Sequence, residues 1–191
     1  METLGIDIGG TGIKGAPVDT ATGTLLAPRV RILTPEGAKP KPVAKVVSEI
    51  AQKFDWKGSI GCGFPSVLHD GVVFSAANIH KSWIGVDADR LFEETTGLPV
   101  HVINDADAAG LAEITFGAGR SERGVVMIIT IGTGLGSALF INGQLVPNTE
   151  LGHIEINGKD AEANASEAAR IQQKMSWKRW GGRFNTYLQT L

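Results

Sequence analysis

The chain has 191 residues, of which 42% are hydrophobic and 20% are charged. This composition is typical of a globular protein with a buried core, and the length suits one large domain or two small lobes. The formal net charge of -2 argues against a dedicated nucleic-acid binder, because such proteins are usually strongly basic. The single cysteine excludes an internal disulfide and a cysteine-rich zinc site. No apolar run reaches membrane-spanning length and no secretory leader pattern is present, so we expect a cytoplasmic protein.

The first half of the chain predicts short strands followed by helices. Strands at residues 3–8, 13–18 and 24–33 are separated by turns and predict an antiparallel meander. A helix is then predicted to begin near residue 42, because five apolar residues recur at helical spacing: Val43, Val46, Val47, Ile50 and Phe54. Further on we predict a strand at 60–64, a hairpin around 72–74, a helix at 87–96, a strand at 100–103 and a helix at 105–116.

The second half predicts a similar order of elements. Strands at 125–130 and 137–141 flank a glycine-rich turn, strands at 144–147 and 154–156 continue the meander, and helices follow at 160–175 and 177–188. We therefore predict an α/β protein with two lobes, each with a mixed sheet that opens with a β-meander and is flanked by helices. The small N-terminal lobe is expected at residues 1–103 and the larger C-terminal lobe at 104–191.

A glycine-rich hairpin joins the first two predicted strands. Its glycines have the G-x-G-x-x-G spacing of a dinucleotide site, but that reading requires a helix to follow, and here another strand follows. The tip instead exposes backbone N–H groups, which form a nest for an anion, with Lys14 adding a charge and Thr11 a hydroxyl. Asp7 at the strand end suits a water-mediated contact to a phosphate-bound Mg²⁺. A tight turn stabilised by Asp7 remains an alternative.

A second glycine turn, at residues 132–136, also lies between two strands, so the same interpretation applies. Two such hairpins in one chain favour a pair of loops that grip a phosphate chain. The basic stretch at residues 170–191 is able to attract a long polyanion, although a solvated helix face is the more common reason for such a run.

Asn104 and Asp105 stand between a predicted strand and a predicted helix. The carboxyl ends of strands are where open α/β sheets bind their ligands. Asp105 could there accept a proton from a substrate hydroxyl during phosphoryl transfer. A helix N-cap is the alternative role for this aspartate.

Glu150 and His153 form a second polar cluster, three residues apart and beside a glycine. A carboxylate and an imidazole in this arrangement suit hydrogen bonds to neighbouring sugar hydroxyls. A metal site and a solvated strand edge are the alternatives, and the absence of nearby cysteines makes zinc the weaker one. Asn78 is a further candidate for a hydroxyl contact.

Together these residues resemble the ROK family of sugar kinases in the actin/hexokinase superfamily, and within it the polyphosphate glucokinase branch. The resemblance extends along essentially the whole chain. It rests on the motifs GIDIGGTGIKG from Gly5, GFP from Gly63, AAN from Ala76, KSWIG from Lys81, NDADAAGLAE from Asn104, GTGLGS from Gly132 and PNTELGH from Pro147. It implies a ribonuclease H-like, actin/hexokinase two-lobe fold.

The resemblance also implies a reaction and a set of site residues. The reaction is phosphoryl transfer from inorganic polyphosphate, with ATP as a second donor, to the 6-hydroxyl of glucose, with Mg²⁺ as cofactor and Asp105 as general base. The positions matching the family's glucose contacts are Asn78, Asn104, Glu150, His153 and Glu162. The positions matching its phosphate side are Asp7, Gly9, Gly10, Thr11, Lys14, Thr133 and Gly134. No direct protein cage for a metal is implied, and a homodimer is expected.

Two departures from the family pattern matter. Most family members carry a cysteine-rich zinc loop after the Gly-His pair, and this chain resembles the polyphosphate-using branch in lacking it. Family members also continue beyond the last predicted helix with a strand, a glycine-rich turn near the donor site and closing helices. We therefore expect a C-terminally truncated chain with an incomplete second lobe. A non-catalytic sugar-binding sensor or an inactive fragment is the alternative function.

Overall fold

The computed structural model describes all residues from 1 to 191. Its strands are β1 (Glu2–Ile8), β2 (Ile13–Asp19), β3 (Thr24–Leu25), β4 (Val30–Ile32), β5 (Ile60–Phe64), β6 (Leu68–His69), β7 (Val72–Val73), β8 (Val100–Asn104), β9 (Val125–Ile131), β10 (Leu135–Ile141), β11 (Gln144–Val146), β12 (Glu155–Ile156) and β13 (Lys159–Asp160). Its helices are α1 (Pro40–Lys53), α2 (Ala88–Thr96), α3 (Asp105–Phe116), α4 (Glu162–Ala165), α5 (Glu167–Gln172) and α6 (Trp177–Thr190). Three short 3₁₀ turns lie at Glu36–Ala38, Lys81–Trp83 and Leu151–His153.

The first sheet has the strand order β3-β2-β1-β5-β8, with β4 also paired to β2. Strand β1 is antiparallel to β2, whereas β1, β5 and β8 run parallel. The register aligns Asp7 with Gly63 and aligns Phe64 with Asn104. The carboxyl ends of the three parallel strands therefore meet at one edge of the sheet, which places Asp7 close to the β8–α3 junction.

The sequence predicts one continuous strand at residues 24–33, and this prediction is wrong. The chain forms β3 and β4 instead, and these pair with opposite ends of β2. Pro28 lies in the interruption between them, and proline has no N–H to donate to a ladder.

The main hydrophobic core lies between the first sheet and helices α1 and α2. It contains 20 buried residues, among them Trp83 and Phe92. Helix α1 supplies its inward face through valine, alanine and isoleucine residues at helical spacing, as the sequence predicts. Trp83 packs edge-to-face against Phe64 and Phe92, with ring centroids 4.6 and 5.9 Å away. This core fixes the sheet whose edge carries the candidate site.

The second sheet is the antiparallel meander β11-β10-β9, as the sequence predicts for its first three strands. Helix α3 packs closely on β10 at Gly110, where a Cβ atom would lie 2.5 Å from that of Ala138. The bounds predicted for α3, residues 105–116, are confirmed. The division of the chain into lobes at residue 103 stays a prediction.

Two expectations for the region after β11 are wrong. Residues 154–156 do not extend the meander, because Glu155–Ile156 pairs with Lys159–Asp160 in a separate hairpin. The single helix predicted at 160–175 is broken into α4 and α5 at Ser166. Ser166 has an extended backbone, and its hydroxyl accepts the hydrogen bond of Ala169 N–H as the N-cap of α5. None of the helices has the length and hydropathy needed to cross a bilayer.

Candidate active site

A cleft of about 540 Å³ opens between the end of the first sheet and the start of the second. Eleven of the thirteen residues predicted for the site line this cleft: Gly9, Gly10, Thr11, Asn78, Asn104, Asp105, Thr133, Gly134, Glu150, His153 and Glu162. Residues from both glycine hairpins thus share one cavity with the carboxylate and amide side chains. This arrangement has the polar, concave character of a small-molecule site.

The other two predicted residues, Asp7 and Lys14, lie in a neighbouring groove on the sheet. They are direct cross-strand partners, and Lys14 Nζ lies 2.9 Å from Asp7 Oδ2. The groove and the cleft share Asp105, Ala106 and Thr130 as lining residues. Asp105 therefore stands where the two cavities meet, with the Asp7–Lys14 pair on one side and the polar cleft on the other.

Asp105 is the first residue of α3, and the carboxyl end of β8 positions it directly. Burial, followed by the negative charges of Asp7 and Glu150, raises the pKa of Asp105 from 3.8 to about 6, although the N–H of Ala106 opposes this shift. Asp105 nevertheless remains exposed to solvent on the side of the open cleft. A carboxylate with a pKa near neutrality is suited to accept and release a proton.

The cap of α3 is Asn104 rather than Asp105. The buried Asn104 Oδ1 accepts hydrogen bonds from the N–H groups of Ala106 and Asp107 at 2.9 and 3.0 Å. The Asn104 amide nitrogen donates to Ser66 O at 3.1 Å and to Glu150 Oε1 at 2.9 Å. Because Asn104 fills the cap, the Asp105 carboxylate keeps one oxygen, Oδ2, without a hydrogen bond in the chain, while Oδ1 accepts from Ala106 N–H.

Glu150 is held in an unusual backbone conformation beside this cap. Its φ of 42° and ψ of 35° lie in the left-handed region, which a residue other than glycine, asparagine or aspartate seldom adopts. Such strain persists where the surrounding structure fixes the conformation, and it occurs often at functional sites. Burial raises the pKa of Glu150, and His153 and the Asn104 amide act against that rise.

The loop that carries Glu150 is tied to β6, to α3 and to β10 of the second sheet. The Asn148 amide accepts from Leu68 N–H at 3.1 Å and donates to Leu68 O at 2.8 Å. The Asn148 backbone N–H donates to Asp107 Oδ2 at 2.9 Å, and the hydroxyls of Thr149 and Ser137 are 3.0 Å apart. These bonds explain how the loop can hold Glu150 in a strained conformation.

His153 and Glu162 complete the polar end of the cleft. His153 Nε2 lies 3.9 Å from Glu150 Oε2, and its Nδ1 lies 3.0 Å from Asp160 Oδ2. Glu162 Oε2 accepts a hydrogen bond from the N–H of Leu135 at 2.9 Å. A Cβ at position 134 would meet the Glu162 carboxylate, so a larger residue there would displace that side chain from this contact. Glu162 therefore joins the polar cluster to the second glycine hairpin.

Each glycine hairpin is braced by other parts of the chain. In the first, Thr34 Oγ1 donates to Gly9 O and Arg31 Nη2 donates to Thr11 O. In the second, Gly132 N–H donates to Gly134 O at 2.9 Å, and Gly132 O accepts from the first N–H groups of α5. Braced hairpins can present their remaining N–H groups to an anion with little loss of conformational entropy.

Sequence reasoning missed several residues that support the site, namely Arg31, Thr34, Asp107, Asn148 and Asp160. The motifs around Asn104 and Pro147 contain two of them, but a motif does not state which of its members hold the others in place. Thr34 and Arg31 carry no local signal, since their role arises only when β4 pairs with β2.

The chain contains no cluster of three or more His, Cys, Asp or Glu residues that could hold a metal ion. A magnesium ion bound mainly by phosphate oxygens and water needs only one or two carboxylates. Asp7 fits that requirement, because its Oδ1 makes no hydrogen bond within the chain and its side chain is 54% exposed.

Comparison with known proteins identifies the family. Residues 3–170 match the family described as "ROK family". The chain is 48% identical over 178 residues to the polyphosphate glucokinase of Mycobacterium tuberculosis, and the match covers 93% of this chain and 67% of that protein. The polyphosphate glucokinase of Mycobacterium leprae is 46% identical, with 93% of this chain and 55% of that protein covered. The chain thus belongs to the ROK family, and its relatives indicate a transferase of the sugar-kinase type.

Solved structures agree with this assignment. The inorganic polyphosphate/ATP-glucomannokinase from Arthrobacter sp. strain KM superposes with a TM-score of 0.95 at 47% identity, over 98% of this chain and 77% of that chain. A ROK family glucokinase from Streptomyces griseus, in complex with glucose and AMPPNP, gives a TM-score of 0.76 at 31% identity, over 90% of this chain and 59% of that chain. The mixed α/β fold is therefore of the actin/hexokinase-like type found in ROK kinases.

Proposed function

We propose that the chain transfers the terminal phosphoryl group of inorganic polyphosphate to the 6-hydroxyl of glucose, with ATP as a second donor. The observation that carries this proposal is the position of Asp105, with a pKa of about 6, between two braced glycine hairpins and a polar cluster. The names of the mycobacterial and Arthrobacter relatives support the choice of sugar and donors. A homodimer and a cytoplasmic location remain predictions.

The polar end of the cleft is suited to a hexose. The side chains of Asn78, Asn104, Glu150, His153 and Glu162 line the cavity and offer both hydrogen-bond donors and acceptors. Vicinal hydroxyl groups each donate and accept, so they match a mixed set of this kind. The hydrogen bonds that fix Asn104 and the loop carrying Glu150 favour a site formed before the sugar binds, which limits the entropy lost on binding.

The glycine end of the cleft is suited to a phosphate chain. In this proposal the N–H groups around Gly9, Gly10, Thr133 and Gly134 bind phosphate oxygens, and Lys14 contributes positive charge from the neighbouring groove. Asp7 would hold a phosphate-bound Mg²⁺ through water. When bound, that ion neutralises charge on the phosphate oxygens, as in other phosphoryl transfers.

Asp105 would act on the sugar hydroxyl between these two ends. Its carboxylate accepts the proton of the 6-hydroxyl while that oxygen bonds to the terminal phosphorus of the donor. The bond from that phosphorus to the bridging oxygen breaks, and the donor leaves one phosphate shorter with the electron pair. The hairpin N–H groups stabilise the charge on the transferred group, and the surrounding chain orients the reacting oxygen.

A direct test measures glucose 6-phosphate formation with polyphosphate and with ATP in parallel. The proposal predicts product with polyphosphate and Mg²⁺, and product with ATP in the parallel assay. Binding of glucose without transfer from either donor would overturn the proposal. That outcome would favour the alternative of a sugar-binding protein without catalysis.

A further inference from the structure

The hairpin formed by β12 and β13 places a carboxylate against the ring of His153. The ring's Nδ1 is 3.0 Å from Asp160 Oδ2, and a carboxylate can only accept, so Nδ1 carries the proton in this bond. On its other side the ring faces Glu150, whose Oε1 accepts from the Asn104 amide. A continuous series of polar contacts thus runs from Asp160 to the residue that caps α3.

Asp160 is itself fixed in place. Its Oδ1 accepts the N–H of Ala163 at 3.1 Å, and its backbone carbonyl accepts from the Asn164 amide at 3.0 Å. Partial burial raises the pKa of Asp160, but the hydrogen bonds of His153 and Ala163 outweigh that effect and lower it overall. The ionised carboxylate therefore has one oxygen directed to the helix and the other to the imidazole.

We propose that Asp160 is a positioning residue for sugar binding, which holds the His153 ring with Nδ1 protonated and Nε2 presented to the cleft beside Glu150. This inference rests on the proposed function, because it assumes that His153 contacts the sugar. It assigns to the β12–β13 hairpin a role that neither sequence motif nor spacing indicates.

The charge on His153 follows from the same contacts. The titratable groups that face its ring are Asp160, Glu150 and Glu162. The hydrogen bond to Asp160 is the largest cause of the raised pKa of His153, and the three negative charges act in the same direction against partial burial. The protonated ring then offers a donor at each nitrogen, so Nε2 can donate to Glu150 or to a sugar hydroxyl.

Asp160→Asn is the most informative variant, because it can keep the hydrogen bond to Ala163 N–H at the start of α4 while changing the contact to His153. Asparagine is as good an N-cap as aspartate, so its oxygen can keep the bond to Ala163 N–H. Its NH₂ group then faces His153 Nδ1 and can only donate, which favours the opposite tautomer and disfavours the charged ring. We expect glucose binding to weaken about 10-fold, as for loss of a hydrogen bond between charged groups, with kcat nearly unchanged.

The matched control is Asp70→Asn. Asp70 Oδ2 lies 3.0 Å from His69 Nδ1, and the two side chains are 90% and 76% exposed, outside the cleft. The control removes the same type of histidine–carboxylate contact without touching the site. Glucose affinity should stay within about two-fold of the unaltered chain, since exposed pairs contribute little.

A double-mutant cycle with His153→Asn, measured by calorimetric titration with glucose, tests whether Asp160 acts through His153. Adding Asp160→Asn to His153→Asn should cause no further loss of affinity, whereas equal losses in both backgrounds would overturn the proposal. The second readout is the ¹⁵N NMR spectrum of the imidazole during a pH titration. Asp160→Asn should lower the pKa of His153, and an unchanged spectrum would also overturn the proposal.

The NMR readout keeps the two proposals distinguishable. If the unaltered chain binds no glucose, the proposed function fails, yet the spectrum still shows whether Asp160 sets the protonation of His153. If the unaltered chain binds glucose and Asp160→Asn binds it equally well, the positioning role is wrong while the proposed function stands.

Discussion

The two sheets of the molecule differ in how well they are buried. The first contributes to a continuous core of 20 buried residues, whereas the cluster beside the second contains four: Leu135, Ala161, Ala165 and Tyr187. Several large apolar side chains of β9 remain exposed, including Val125 at 70% and Ile131 at 41%. Since burial of apolar surface is the main source of stability, we expect the first half to be the more stable unit.

The candidate site draws on both halves unequally. Asn104 ends a strand of the well-packed sheet and Asp105 directly follows it, while Glu150, His153 and Glu162 come from the less buried half. Asp105 therefore has a rigid support, and the polar cluster depends on local hydrogen bonds such as those of Asn148 and Asp160. Hydrogen exchange should show slow amides in β1, β5 and β8 and faster ones after residue 125; equal protection in the two halves would contradict this comparison.

The largest expected effect is that of Trp83→Ala. The side chain is fully buried between Phe64 and Phe92, and its indole N–H donates to Ala38 O. Removing it should lower the free energy of unfolding by about 3–5 kcal/mol, measured by urea denaturation. The control is Trp177→Ala in α6, where the ring is 65% exposed and the loss should be much smaller. Similar losses for the two variants would refute the difference in packing.

Gly110→Ala should have the next largest effect. The added Cβ would lie 2.5 Å from Ala138 Cβ and 2.9 Å from the Phe140 ring, so α3 and β10 must move apart at a cost of about 1–3 kcal/mol. The matched control is Gly182→Ala in α6, where nothing lies within 4 Å of the added atom. That variant should gain about 0.5–1 kcal/mol from higher helix propensity. A stabilising Gly110→Ala would show that the two elements pack more loosely than described.

Asp105→Asn should raise stability in a pH-dependent way. The fold raises the pKa of Asp105 from 3.8 to about 6, so its contribution to stability is present below about pH 4 and is lost as the pH rises through 6. Two pKa units correspond to about 3 kcal/mol, which solvent in the open cleft reduces to about 1–2 kcal/mol. Thermal unfolding should show that gain at pH 7.5 and none at pH 3.5. A variant that is less stable at pH 7.5 would contradict this account.

The smallest expected effect is that of Tyr187→Phe. The hydroxyl is buried in the small cluster and has no hydrogen-bond partner. Removing a buried polar group that makes no bond should leave stability unchanged or raise it by about 1 kcal/mol. Urea denaturation checks this, and a loss above about 1 kcal/mol would mean that the hydroxyl is bonded in solution.

The sequence predicts the fold best where local signals are strong. The bounds of α3 follow from an N-cap and a terminal glycine, and the glycine hairpins follow from alternating strands around a turn. The break between β3 and β4, the short helices around Ser166 and the β12–β13 hairpin were not predicted. Each of these features depends on a single residue or on the pairing of two strands. Neither is indicated by helical or alternating periodicity in the sequence.

The site could be predicted as a set of residues but not as a network. Family motifs indicate Asp105, Asn104, Glu150 and His153, and the structure brings these together in one cleft. No motif indicates that Asn104 rather than Asp105 caps α3, or that Asp160 holds His153. The first depends on which of two neighbouring side chains turns toward the helix, and the second on how the β12–β13 hairpin folds back toward His153. Both emerge only from three-dimensional packing.

The most direct test of the central claim compares phosphoryl transfer by the unaltered chain and Asp105→Asn in a single turnover with saturating glucose, polyphosphate and Mg²⁺. Calorimetry first establishes that both bind glucose with similar Kd. If Asp105 accepts the proton of the sugar hydroxyl, transfer should slow by about 10²–10⁴-fold while glucose affinity is retained. Transfer at a near-normal rate by Asp105→Asn would show that another group is the base.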